Sequence, residues 1–148
     1  MKMLVCTDGS PAGQNALREG LKIAENYPNV ETSIIYVYDT SLTVYEDVSG
    51  SIPVEVHDKL KISKEAEGKE ILNESAKLFE NKNLKVTTIL KEGHPSSTIK
   101  KVASENNFDL LVVGNRGLSG LKRFILGSVS NAVAQEVKSN VLIVKQPE

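Results

Sequence analysis

Five short apolar runs alternate with stretches of helical periodicity along the whole chain. The runs are compact and rich in valine, isoleucine and leucine, as strands buried on both faces of a sheet usually are. They cover residues 2–7, 30–38, 84–90, 109–113 and 141–144. The pattern therefore predicts five buried strands with a helix between each strand and the next.

The helical stretches carry their own start and stop signals. Ser10 is a suitable N-cap and Pro11 fits the first turn of a helix that stops before Pro28. A second helix is predicted over about 56–81 and a fourth over 129–137, and a short third helix is predicted to begin at an N-cap on Ser96 or Ser97. The long second helix begins with a dense run of lysine and glutamate, and only its later half has the apolar spacing of a packed face.

This alternation is typical of an α/β protein with a parallel sheet. We predict one domain over residues 1–148, with an open five-stranded parallel sheet of order 3-2-1-4-5, helices on both faces and a Rossmann-like architecture. Ligands of such sheets bind beyond the carboxyl ends of the strands, where the strand order reverses. Because the first and fourth strands are neighbours there, Asp8 and Gly114 should meet at one crevice.

Residues 41 to about 53 fit neither periodicity. A loop of this length is uncommon in a compact domain and is often functional. We expect a loop over one edge of the crevice, and no pattern indicates a conformation for residues 41–55.

Composition and charge exclude several classes of protein. Hydrophobic residues make up 40% of the chain and charged residues 25%, and no apolar run is long enough for a bilayer, so no membrane association is predicted. A formal net charge of -1 gives no general attraction to nucleic acid. The apolar run before Thr7 is too short for a signal peptide, and the single cysteine, Cys6, cannot form an intramolecular disulfide. Both features indicate the cytoplasm.

The most distinctive stretch lies between the fourth strand and the last helix. Gly114 is followed after two residues by Gly117, after nine more by Gly127, and then directly by Ser128. This spacing is neither the G-x-x-x-x-G-K-[ST] phosphate loop nor the G-x-G-x-x-G dinucleotide motif. Gly117 and Gly127 permit positive φ and close approach to phosphate oxygens, and Ser128 lies near a helix N-terminus that favours anions. Glycines also make ordinary turns, but the strand-loop-helix context favours a phosphate site.

Nearby side chains have two interpretations each. Asp8 either faces a ligand or only ends a strand and caps a turn, and its place at the carboxyl end of the first strand favours the ligand. Arg116, Lys122 and Arg123 either hold phosphate or form a solvated surface. Cys6 is either a small buried hydrophobe, the commoner case, or a redox sensor.

The G-x-x-G-(nine residues)-G-[ST] spacing resembles the ATP-binding signature of the universal stress protein family. The resemblance covers essentially the whole chain: residues 5–10 are similar to the family's first strand with its aspartate, 36–39 to its second strand, and 93–95 and the valine-rich last strand also fit. The chain departs from the family at Asn140, where many members have proline, and in the variable loop 41–55.

The resemblance implies an adenine-nucleotide site, and the residue spacing itself predicts no protein metal site. Its phosphate and ribose contacts would be Gly114, Gly117, Gly127, Ser128, Val129 and Ser130. Its nucleoside end would consist of Asp8, with Cys6 and Thr7 beside it, and of Val37 and Val113 flanking the adenine. The implied cofactor is ATP, AMP or ADP, and any Mg²⁺ would come with the phosphates. His57 and His94 have no Cys or His partner at metal-ligand spacing.

Three functions remain open at this point. We expect a regulatory stress-response protein that holds the nucleotide with at most weak ATP hydrolysis or autophosphorylation, because no Walker lysine and no catalytic residue is evident. The alternative is a slow ATPase or autophosphorylating enzyme that uses Asp8 and Ser128 near Mg²⁺. A third function, ATP-independent interaction as a dimer, is disfavoured by the intact signature. The resemblance also implies a homodimer through the apolar last strand, formed by Val141, Leu142, Ile143 and Val144.

Overall fold

The computed structural model describes residues 1–41, 53–116 and 126–146. Its elements, in chain order, are β1 (Lys2–Cys6), α1 (Pro11–Asn26), β2 (Glu31–Tyr38), α2 (Val54–Glu80), β3 (Val86–Glu92), α3 (Pro95–Glu105), β4 (Leu110–Gly114), α4 (Ser128–Glu136) and β5 (Asn140–Val144). Strands and helices therefore alternate as the apolar pattern predicts.

The described strands form a parallel sheet of order β3-β2-β1-β4-β5, which confirms the predicted order. The register places Cys6 beside Ile35 and Gly114 beside Val144. β1 thus lies between β2 and β4, and the direction in which the chain builds the sheet reverses between β1 and β4.

Two apolar cores cover the two faces of this sheet. Leu17 of α1 packs with Val5 on one face, which α2 also covers. Val102 of α3 and Val133 of α4 pack with Leu4 on the other face. The α/β architecture with helices on both faces is therefore confirmed. Every helix in the described part of the chain is too short or too polar to cross a bilayer.

The first two helices follow their sequence signals. The hydroxyl oxygen of Ser10 accepts the N–H of Gly13 at 3.2 Å, and Pro11 occupies the first turn of α1, as predicted. The second half of α2 supplies the residues that the helix buries: Gly68, Leu72, Ser75, Ala76 and Phe79. The charged first half of α2 begins at Val54 and stays largely exposed.

The bounds predicted for the third strand are wrong at both ends. Residues 84–90 were expected, whereas β3 covers Val86–Glu92. Leu84 belongs to the turn after α2, where its N–H donates to the carbonyl of Phe79 at 3.1 Å. Asn83 has a φ of 59° there, so the apolar Leu84 is used in a turn rather than in a strand.

The predicted cap of α3 is also wrong. The helix starts at Pro95 with His94 as its N-cap, and no side chain caps it among the described residues. The hydroxyl of Ser97 donates to the carbonyl of His94 at 3.1 Å, and the hydroxyl of Ser96 lies 3.1 Å from the His94 Nδ1. Proline at the first helical position fixes the start of α3 before either serine can act as N-cap.

Candidate functional site

A cavity of about 400 Å³ opens at the carboxyl ends of β1, β2 and β4. We call it the β1/β4 pocket. The predicted site residues that line it are Cys6, Thr7, Asp8, Val37, Val113, Gly114, Gly127, Ser128, Val129 and Ser130. Gly117 and most of the loop 41–55 lie outside the described residues. The pocket therefore occupies the point where the strand order reverses, as expected for a sheet of this kind.

The floor of the β1/β4 pocket is apolar. Strands contribute four of its residues and helices α3 and α4 one each: Cys6, Ile35, Val37 and Val113 from strands, and Ile99 and Val129 from helices. All six belong to the core on the α3 and α4 face or pack against it. This slot suits a flat apolar group such as a base, because ligand sites in proteins are mostly apolar with a few placed polar groups.

The Cys6 thiol takes part in this slot as a small hydrophobe. Its side chain is 8% exposed, and burial raises its pKa from 9.0 to about 12. The thiolate form that redox chemistry needs is therefore essentially absent at neutral pH. The structure favours the buried hydrophobe over the redox sensor.

Asp8 lies at the carboxyl end of β1, where it both shapes a turn and lines the pocket. Its Oδ1 accepts the N–H of Ser10 at 3.0 Å, which shapes the turn into α1. The same side chain lines the β1/β4 pocket across from Gly114, as the strand order predicts. A carboxylate held in this way can also accept ligand hydroxyl groups.

The N-terminus of α4 faces the β1/β4 pocket. Gly127 is its N-cap, and no side chain caps it among the described residues. The first N–H groups of a helix have no intrahelical acceptor, and the helix dipole adds positive potential there. Ser128 and Val129 stand in this first turn beside the pocket. This end of the pocket is therefore suited to an anionic group.

Ser130 has a structural bond in addition to its place at the pocket. Its buried hydroxyl donates to the carbonyl of Gly114 at 2.5 Å, so α4 is joined to the end of β4. The side chain is 4% exposed. Ser130 therefore positions the first turn of α4 with its side chain.

Gly127 does not use the positive φ that glycine permits, since its φ is -58°. An ideal Cβ on Gly127 would lie 3.2 Å from the Cα of Arg116, so close approach is what restricts this position. Gly114 is restricted more severely, because a Cβ there would lie 2.5 Å from the carbonyl oxygen of Ala12 in α1. The motif spacing identified both positions correctly as glycines of the site, but what requires glycine at each is close packing against neighbouring backbone.

Sequence reasoning missed several residues that line the β1/β4 pocket, and the charged ones are Asp39, Lys64 and Glu67. Lys64 donates from Nζ to the backbone carbonyl of Asp39. Hydrogen bonds from Ser41 hold the pKa of Asp39 below its ordinary value. Burial raises the pKa of Tyr36, and the carboxylates of Glu67 and Asp8 raise it further. Lys64 and Glu67 belong to the lysine- and glutamate-rich part of α2, and no short-range signal indicates that α2 extends over the end of β2.

The carboxylates that line the β1/β4 pocket lie on one side of it, together with Lys64, whereas Arg116 lies on the other side. The carboxylates Asp8, Asp39 and Glu67 follow β1 and β2 or lie on α2, which packs over β2 and β3. Arg116 follows β4, on the side of the α4 N-terminus. A ligand with hydroxyl groups at one end and negative charge at the other therefore has one favourable orientation.

A second hollow, of about 990 Å³, lies at the opposite edge of the sheet, around Pro28, Glu31 and Asn83. It contains none of the predicted site residues. Ligands of open α/β sheets bind at the carboxyl ends of the strands, which is the edge that holds the β1/β4 pocket. We therefore assign the candidate site to the smaller cavity.

Three kinds of comparison with known proteins all find members of one family. A model described as the universal stress protein family matches residues 1–145. Universal stress protein YxiE of Bacillus subtilis (strain 168) is 35% identical over 146 residues, which cover 97% of this chain and 98% of the relative. Universal stress protein UspA from Lactobacillus plantarum has a TM-score of 0.84 at 24% identity and 97% coverage of both chains. A universal stress protein in complex with cAMP has a TM-score of 0.69 at 28% identity, covering 97% of this chain and 96% of that chain.

Proposed function

This chain belongs to the universal stress protein family, and from that membership and the β1/β4 pocket we propose that it is a regulatory protein that holds an adenine nucleotide. The base would lie on the apolar floor beside Val37 and Val113. The ribose would face Asp8, and the phosphates would lie against the N-terminus of α4. The relative crystallised with cAMP supports an adenine nucleotide as the class of ligand.

The observation that supports this proposal most strongly is the meeting of an apolar slot and a helix N-terminus in one pocket. The slot, through Val37 and Val129, offers burial to a base, and the first turn of α4 offers N–H donors to an anion. Asp8, which follows β1, lines the same pocket. An adenine nucleotide presents a base, hydroxyl groups and phosphate, for which these three features are suited.

We propose holding rather than rapid hydrolysis as the main activity. Phosphoryl transfer needs a group that orients the nucleophile and charges that stabilise the transition state. Asp8, a carboxylate that lines the pocket, already shapes the turn at Ser10. ATP, or AMP or ADP, would be the ligand, with any Mg²⁺ brought by the phosphates.

Calorimetric titration of the purified protein with AMP, ADP and ATP tests this proposal. Gly127→Val should weaken binding by at least about tenfold, because a side chain at the α4 N-cap meets Arg116 and occupies the space of the phosphates. Ala134→Val, on the exposed face of α4, is the matched control and should bind like the parent protein. A parent protein that binds none of the three nucleotides would refute the proposal, and mass spectrometry of any co-purified nucleotide would identify the ligand. Rapid turnover of bound ATP would favour the enzyme instead.

We further propose that the chain acts as one domain in the cytoplasm and pairs through β5 as a homodimer. Among the described strands β5 lies at the edge of the sheet, with β4 as its neighbour. Val141, Leu142, Ile143 and Val144 are each only partly buried, so an apolar edge is open to a second copy. Light scattering should give a dimer mass, and Leu142→Lys should lower it to the monomer mass. A monomer at all concentrations tested would contradict pairing.

A further inference from the structure

Arg116 is the second residue after the end of β4, and it lines the β1/β4 pocket. The residue as a whole is only partly exposed. Its Nε atom is buried and has no hydrogen-bond partner among the described residues. A buried N–H donor is costly to leave unpaired, so its position calls for an acceptor.

The backbone directly before Arg116 is held by two hydrogen bonds. The N–H of Asn115 donates to the carbonyl of Val144 at 3.0 Å, and the N–H of Gly127 donates to the carbonyl of Asn115 at 2.9 Å. These bonds join the end of β4 to the end of β5 and to the N-cap of α4. The Arg116 side chain therefore starts from a defined point beside the helix N-terminus.

The other cation at the β1/β4 pocket is differently placed. Among the described lining residues the cationic side chains are Lys64 and Arg116. Lys64 donates to the carbonyl of Asp39 and shares α2 with Glu67, on the acidic side of the pocket. Arg116 stands on the α4 side, where the helix dipole already favours an anion. The two cations therefore serve different ends of a bound ligand.

We propose that Arg116 makes this pocket sensitive to the number of phosphates, by binding the terminal phosphate oxygens through its guanidinium group. This proposal rests on nucleotide binding as proposed above and adds a discriminating residue to it. A guanidinium has several donors in a planar fork, which fits the oxygens of a phosphate group better than a single ammonium does. The buried Nε then gains its acceptor, and ATP gains affinity over ADP and AMP, while adenosine gains none.

Two other roles for Arg116 make different predictions. A solvated surface arginine would have its Nε in water, whereas this Nε is buried. An arginine that only braces the loop would support every ligand equally, because its loss would disturb the nucleoside end together with the phosphate end. Dependence on phosphate number therefore separates phosphate binding from bracing.

The test compares the parent protein with Arg116→Gln and Arg116→Lys, and with Lys101→Gln as a control. Lys101 is exposed on α3 beside Glu105, so its substitution changes the net charge equally but lies outside the pocket. Each protein is titrated calorimetrically with adenosine, AMP, ADP, ATP and inorganic tripolyphosphate. Urea unfolding of each protein checks that the variants are folded.

In Arg116→Gln we expect affinity for ATP to fall about tenfold to a hundredfold, as loss of a charged hydrogen bond does, with a smaller fall for AMP. Adenosine affinity should stay within about twofold, and tripolyphosphate binding should be lost. Arg116→Lys should lie between parent and Arg116→Gln, and Lys101→Gln should match the parent. Raising the salt concentration should narrow the difference between parent and Arg116→Gln.

An equal loss for adenosine and ATP, or no loss for either, would overturn the role of Arg116 while leaving nucleotide binding in place. If the parent binds tripolyphosphate through Arg116 but binds neither adenosine nor any nucleotide, the anion site stands and the proposed function fails. If the parent binds none of the five ligands, both proposals are refuted.

Discussion

Replacing Gly114 by alanine should destabilise the fold and weaken the site together. An ideal Cβ on Gly114 lies 2.5 Å from the carbonyl oxygen, 2.7 Å from the carbonyl carbon and 2.9 Å from the Cβ of Ala12. None of these atoms is the flexible end of a side chain. Ordinary contacts between carbon and oxygen begin near about 3.3 Å, so the first turn of α1 would have to move by roughly 0.8 Å.

The expected loss follows from two opposing effects. Forcing a methyl group into a packed contact costs about 1–3 kcal/mol. Removing the flexibility of glycine from the unfolded chain returns about 0.4–1 kcal/mol. With the middle of each range, the net free energy of unfolding should fall by about 1.3 kcal/mol, which corresponds to roughly 3–5 °C in melting temperature for a chain of this size. Because α1 begins next to Asp8, its displacement should also widen the β1/β4 pocket and lower nucleotide affinity.

Urea unfolding followed by circular dichroism measures this loss, and Gly127→Ala is the matched comparison. The φ of Gly127 is -58°, which alanine adopts freely, and its nearest contact would be 3.2 Å. Gly127→Ala should therefore lose less than about 1 kcal/mol. A Gly114→Ala protein as stable as the parent, or less destabilised than Gly127→Ala, would refute the reasoning from close approach.

Two further predictions concern buried groups at the same site. Ser130→Ala should lower the free energy of unfolding by about 1–3 kcal/mol, because the buried carbonyl of Gly114 loses its hydrogen-bond donor. Urea unfolding measures this loss, and Ser128→Ala, at an exposed residue, should be nearly neutral in the same assay. Burial raises the pKa of the Cys6 thiol to about 12, so the unfolded chain loses this proton above pH 9 while the folded protein keeps it. The stabilising contribution of the protonated Cys6 thiol is thus full below pH 9 and is lost as the pH rises towards 12. In that range the free energy of unfolding of the parent, relative to that of Cys6→Ala, should fall by about 1.4 kcal/mol per pH unit. A constant advantage would contradict the buried, protonated thiol.

The fold was largely predictable because its signals are local. Apolar runs of strand length alternate with helical periodicity, and Ser10 followed by Pro11 marks the start of α1. Strand order follows from the general behaviour of such alternating chains. The errors occurred at the ends of elements, where a local turn or cap overrides the apolar pattern. Leu84 is apolar and next to a strand, yet its N–H closes the turn on Phe79.

The site was predictable only as far as its motif extends. Gly114, Gly127 and Ser128 were found by spacing, and Asp8 by its position after the first strand. Lys64 was missed, because its presence at the β1/β4 pocket depends on how α2 crosses the end of β2. The contact that requires glycine at residue 114 is also distant in sequence, because it is with Ala12 in α1.

Two-dimensional amide spectra of ¹⁵N-labelled protein, recorded while ATP is added, show whether ATP binds in the β1/β4 pocket. We expect the largest shifts at the carboxyl edge of the sheet, at the amides of Asp8, Val37, Gly114 and Ser128. The amide of Asn83, in the hollow at the opposite edge, should stay unchanged. Saturating ATP that leaves the spectrum unaltered, or shifts centred on Asn83, would contradict an adenine-nucleotide site in the β1/β4 pocket.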